Sequence, residues 1–134
     1  MSFFDILNIS ATGMSAQRIR MQVISANLAN ANTTRAYGGV PYRKRDVVFK
    51  TILDGEYKGG SKVDRIELDE KPPKMVYDPG HPDADEEGYV MYPNINPIEE
   101  MVNMLESSRS YEANMTVLDT AKQLALRAIE IGRS

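Results

Sequence analysis

Residues 96–132 read NPIEEMVNMLESSRSYEANMTVLDTAKQLALRAIEIG, a stretch with every mark of one long helix. Asn96 is suited to cap it, Pro97 fits its first turn, Glu99 and Glu100 complement the positive end of the dipole, and Gly132 is expected to stop it. No helix breaker lies from Ile98 to Ile131, and those 34 residues would span roughly 50 Å at about 1.5 Å each. Apolar residues recur in alternating steps of three and four: Met101, Met104, Ser108, Tyr111, Met115, Leu118, Lys122, Ala125 and Ile129. The pattern is a coiled-coil seam weakened at Ser108 and Lys122. A second stripe, Val117, Ala121, Leu124, Ala128 and Ile131, runs beside it.

Such a helix needs a partner, and the other end of the chain offers one. From Ser2 to Ala31 only Gly13 interrupts, and Leu7, Met14, Met21 and Leu28 recur every seven residues. Ile9, Ala16 and Val23 repeat at another offset, turned about 200° from the first row. One helical partner cannot cover both rows. Charge is also scarce, with only Asp5, Arg18 and Arg20 before Arg35, so this helix is expected to touch protein on several sides. These stripes could pack within one helical hairpin, but the second rows favour packing between molecules.

Seven of the nine glycines and six of the seven prolines fall between Asn32 and Asn96. Short strands are predicted there over 46–53, 63–68, 74–77 and 89–92, with turns at Gly59-Gly60-Ser61, Lys71-Pro72-Pro73 and Asp78-Pro79-Gly80. The organisation is thus an N-terminal helix (1–31), a central β-rich module (32–96) and a C-terminal helix (97–134). The expected fold class is α+β, with long terminal helices in a coiled-coil-like hairpin and a small central module.

Composition narrows the chemistry. The 134 residues include no Cys and one His, so thiolate catalysis, disulfides, Cys-based metal sites and His pairs are excluded. A net charge of −3 argues against a nucleic-acid partner, and Arg43-Lys44-Arg45 is read as the exposed start of a strand. The charge-free stretch from Met21 to Thr34 is too short and too rich in Asn to span a membrane. With no basic residue before Arg18, a cleaved secretory leader is not expected.

Two loops invite closer reading. Asp83-Ala84-Asp85-Glu86-Glu87-Gly88 resembles the start of a calcium loop, but position twelve would be Asn94 rather than Glu, and Pro79 and Pro82 preclude an entering helix. It reads as a solvated acidic turn. His81, between Gly80 and Pro82, has no nucleophile motif to serve and reads as a loop residue. No enzyme, cofactor or metal is expected.

The least ordinary segment is Ser25-Ala26-Asn27-Leu28-Ala29-Asn30-Ala31-Asn32-Thr33. Asn competes for backbone groups and is poor inside a helix, so a fraying end is the plain reading. Three Asn in six residues suggest more: Asn27 and Asn30 share a face and could fix the chain's exit or bridge to a neighbour. The segment is similar to the signature that ends the N-terminal helix of rod and hook proteins, the axial proteins of the bacterial flagellum. Pro41-Tyr42-Arg43 with Val47-Val48-Phe49, Asp78 through Ala84, Gly88-Tyr89-Val90, Tyr92-Pro93-Asn94, Glu100-Met101-Val102 and Ser108 through Asn114 resemble proximal rod members of that family. Thr33-Thr34-Arg35-Ala36-Tyr37 departs from the Thr-Pro-Gly-Tyr of many relatives.

The resemblance implies a non-enzymatic subunit of the drive shaft, exported uncleaved by the flagellar type III apparatus to the periplasmic side. Implied partners are other proximal rod proteins, the rod–ring junction protein and copies of itself. Leu7, Met14, Met21 and Leu28, with Asn27 and Asn30, are then expected to form an assembly interface with Met101, Met104, Tyr111, Met115, Leu118 and Ile129, within or between subunits. The alternative is a small cytoplasmic coiled-coil adaptor or chaperone that binds a client helix.

Overall fold

The computed structural model describes residues 2–133. Helix α1 (Phe3–Ala29) and helix α2 (Pro97–Arg133) enclose four strands, β1 (Arg45–Thr51), β2 (Ser61–Leu68), β3 (Lys74–Tyr77) and β4 (Tyr89–Tyr92). The fold is α+β, as the sequence predicts. Each helix begins where a side chain satisfies its orphan amides. Ser2 and Asp5 form a reciprocal capping box on α1, and Asn96 Oδ1 accepts from the amides of Ile98 and Glu99 at 3.1 and 3.4 Å.

Gly132 does not stop α2. A helix stop by glycine needs the left-handed conformation, which Gly132 lacks, and the helix runs through it to Arg133.

The helices lie antiparallel, and their pairing advances by seven residues at a time on α1 against six and then eight on α2. Asn27 meets Glu100, Arg20 meets Glu106 at 3.7 Å, and Gly13 meets the amide of Asn114. Helix α1 has 27 residues and α2 has 37, about 40 and 55 Å. In this register Phe3 is level with Leu124, so the last turns of α2 extend beyond α1.

The strands form two antiparallel pairs, β1 with β2 and β3 with β4. A bulge at Val48–Phe49 leaves Asp64 without an opposite residue, which increases the local twist. The β1–β2 hairpin lies along α1. Arg45 sits beside Asn27, and at the far end the Ser61 amide donates to Thr12 Oγ1 at 3.2 Å. A Cβ on Gly60 would lie 2.4 Å from that hydroxyl oxygen, so only glycine permits this approach. Val23 shares a small cleft with Arg45, Asp46 and Val47, and Ala16 is buried. The second α1 row therefore has a partner inside the chain. Helical stripes in a sequence do not register a β-hairpin as their partner.

The apolar core is thin, comprising Ala16, Ile24, Val90, Ile95 and Ala121 with the buried Pro41 and Pro93. The chain exposes 9392 Å², whereas a compact monomer of 15.0 kDa would expose about 7,000 Å². The excess is the size of a substantial protein–protein interface.

Candidate assembly interface

Where α1 ends, α2 begins and β1 starts, one side chain joins all three. Asn27 is 1% exposed. Its Nδ2 donates to the Arg45 carbonyl at 2.8 Å and to Glu100 Oε2 at 3.0 Å. Its Oδ1 accepts from the Tyr42 hydroxyl and the Arg45 amide, both at 3.0 Å. Both donors and both acceptor positions are filled, the condition under which burying an amide costs little.

Glu100 is equally buried. Besides Asn27 it accepts from Asn103 Nδ2 at 3.2 Å and pairs with Lys44 Nζ at 3.3 Å. It lies in the first turn of α2, as a helix-dipole carboxylate should, and belongs to this network as well. Burial disfavours the Lys44 charge, but Asp46 and Glu100 outweigh it and raise the ammonium above its ordinary value. Burial also pushes the Tyr42 hydroxyl up, against the nearby Arg45 and with help from Glu100. Of the basic run, Arg45 is exposed as expected, while the Lys44 side chain is only 15% exposed and serves the junction.

Asn30 is the C-cap of α1. Its Nδ2 donates to the Ala26 carbonyl at 2.8 Å, and its Oδ1 accepts from the Thr33 hydroxyl at 3.1 Å. The chain then turns, and Asp83 holds it through Arg35 at 2.9 Å and the Thr34 hydroxyl at 2.7 Å. Asp85 accepts from the amides of Glu87 and Tyr89, and His81 Nδ1 from the amide of Asp83 at 2.9 Å. Two carboxylates of the calcium-like loop, Asp83 and Asp85, are thus engaged with protein groups.

Along the hairpin, Met104, Tyr111, Leu118 and Ala125 are partly buried, and Met14 lines one cleft with Tyr111 and Leu118. The other half of the expected seam is one residue out of phase. Facing α1 is the heptad row Glu100, Ser107, Asn114 and Ala121, of which Glu100, Ser107 and Ala121 are buried. Met101, Met115 and Ile129, about 100° further round, are exposed. Leu7, Met21 and Leu28 are partly buried on α1. The polar row was missed because apolar periodicity cannot register buried Glu, Ser and Asn; their seven-residue spacing was the available signal.

Residues 7–36 match the family described as flagella basal body rod protein, and residues 86–131 match flagellar basal body rod FlgEFG protein C-terminal. The chain is 44% identical to the flagellar basal-body rod protein FlgC of Bacillus subtilis (strain 168) over 150 residues, covering 99% of this chain and 100% of that protein. Identity to FlgC of Borreliella burgdorferi is 41%, covering 98% of each. Identity to FlgC of Salmonella typhimurium is 40%, covering 99% of this chain and 100% of the relative.

The chain belongs to the FlgC family of flagellar basal-body rod proteins.

It is a structural rod subunit, as the axial signature implied. In FlgC terms each matched segment covers most of one helix, and Asn27 and Glu100 join one to the other. No helix among the described residues is long and apolar enough to cross a membrane.

Proposed function

We propose that this FlgC-family chain is a non-enzymatic subunit of the proximal rod, with its helical hairpin packed in the shaft and the β module facing outward. Its partners are other proximal rod proteins, the rod–ring junction protein and further copies of itself, and its site is the periplasmic side of the basal body, reached by export without cleavage. Carrying the torque is then a matter of packing alone.

The observation that carries this reading is the uncovered apolar surface of the helices. Met101, Met115, Leu124, Leu126 and Ile129 on α2 are all exposed, and so is Phe4 on α1. The last three α2 residues lie where α1 has reached its end. At about 25 cal/mol per Å² of apolar area, covering such a surface gives a strong drive to associate. Neighbours in the shaft meet that need, and the interface residues expected from the sequence keep an assembly role on their exposed or partly buried faces, except Asn27, which is buried inside the subunit and acts by fixing the hairpin.

The test is complementation of a strain lacking this protein. Leu126→Asp with Ile129→Asp changes no buried residue, so the purified variant should keep its helicity while failing to restore swimming or enter basal bodies. A variant that restored swimming fully would refute the packing role.

A further inference from the structure

At the Asn27 end of the molecule, a cleft of about 360 Å³ opens between the segment preceding β1 and the β3–β4 pair. Its floor is apolar, built by Val40, Pro41, Pro73, Met91 and Pro93, while Arg43 and Lys71 stand on its rim; Lys44 and Asp69, whose carboxylate accepts from the Lys71 amide, also line it and leave the charge net basic. Arg43 is hydrogen-bonded to the carbonyl of Asp69, and neither rim cation pairs with a carboxylate among the described residues.

The opposite end of the β1–β2 hairpin has complementary chemistry. Its tip, Leu53-Asp54-Gly55-Glu56-Tyr57, exposes Leu53 by 65% and Tyr57 by 46%, and alternates them with the carboxylates of Asp54 and Glu56. No ion pair engages either carboxylate among the described residues. Paired bonds hold the base of the tip, Ile52 N to Gly60 O and Gly59 N to Ile52 O, both at 2.8 Å. An apolar knob with acidic flanks therefore stands opposite, in character, to an apolar cleft with a basic rim.

A chain cannot fill its own cleft. The hairpin base lies against Asn27 and its far end against Thr12, a separation of about 20 Å along the helix. The geometry points to a second copy: the β1–β2 tip of one subunit inserts Leu53 and Tyr57 into the Val40–Met91 cleft of the next, with Asp54 and Glu56 meeting Arg43 and Lys71. Knob and cleft occupy different surfaces, so the contact is head-to-tail and propagates from copy to copy. This deepens the rod-subunit reading and rests on it.

The chain has no cysteine, which makes cross-linking unambiguous. Leu53→Cys and Met91→Cys replace exposed side chains, and the double variant is expressed in place of the native protein in swimming cells. Mild oxidation of isolated basal bodies should give disulfide-linked dimers and higher multimers with the double variant and none with either single variant. Unlinked subunits in intact basal bodies would overturn the knob-and-cleft contact and leave the rod reading standing. Linkage to a protein of different mass would overturn it in favour of another partner. Absence of the native chain from basal bodies would remove both readings. As a second measurement, Lys71→Glu should reduce swimming and Asp54→Lys in the same chain should restore it; a further loss in the double variant would contradict the pairing.

Discussion

Asn27 and Glu100, 73 positions apart in sequence, meet at 3.0 Å through a buried amide–carboxylate hydrogen bond. The bond closes the helical hairpin at its base, and the Asn27 contacts to Tyr42 and Arg45 tie β1 into the same point. A thin apolar core gives little orientation to two long helices. A polar group with every bond satisfied fixes their register, because each slipped arrangement leaves several groups unpaired.

Asn27→Ala should therefore be costly beyond the size of the side chain. It strips hydrogen bonds from a buried carboxylate and from both backbone groups of Arg45, a loss of about 2–4 kcal/mol. Urea unfolding followed by helical circular dichroism measures it. A change below about 0.5 kcal/mol, the range of ordinary surface substitutions, would show that the junction does not hold the hairpin.

Ser107→Ala should do the opposite. Ser107 is fully buried in the same interface, yet its hydroxyl has no hydrogen-bond partner among the described residues. Removing it relieves an unmet desolvation penalty and adds helix propensity, a gain of about 1 kcal/mol. Equal or lower stability in the same unfolding experiment would contradict the geometry. Two buried polar residues of one interface thus respond with opposite signs, the difference being whether their bonds are made.

The contrast also shows what was legible in the sequence. Helix α2, the four strands and the Asn96 cap follow from local chemistry, since spacing, turn residues and capping act within a few residues of one another. The phase of the seam is not local. Met101 and Met115 carry the apolar signal and face outward, while Glu100 faces inward because Lys44 and Asn27 meet it there. A pattern of hydrophobicity places residues by their cost in water. It misplaces those whose burial is compensated by a partner far along the chain. Asn27 was legible as a candidate for fixing the chain's exit, but its partners were not.

Alkaline pH should loosen the same junction. Lys44 and Tyr42 both have raised pKa values in the folded chain. A group raised in this way contributes stability that is complete below its unfolded pKa and is lost as pH climbs through the folded one. For ordinary values of 10.5 for lysine and 10.0 for tyrosine, the urea midpoint should begin to fall near pH 10. Tyr42→Phe should remove the tyrosine part of that decline, and Lys44→Met in the same background the lysine part. A slope unchanged in both variants would place the alkaline loss elsewhere.

Gly13 and Asn114 should be energetically coupled. A methyl group at Gly13 would lie 2.8–3.0 Å from the Asn114 amide, which donates to the Ser110 carbonyl at 3.0 Å. Replacing a mid-helix glycine with alanine ordinarily adds about 1 kcal/mol. Here Asn114 must swing aside and lose its bond, worth about 1 kcal/mol, so Gly13→Ala alone should bring no gain. In an Asn114→Ala background the obstruction is gone and the full helix-propensity gain should appear. The double-mutant cycle then gives a coupling of about 1 kcal/mol, outside the few tenths found for independent sites. Additive effects would mean that the helices do not approach this closely at Gly13, and that the register running from Asn27–Glu100 toward Ala121 is not held along the hairpin.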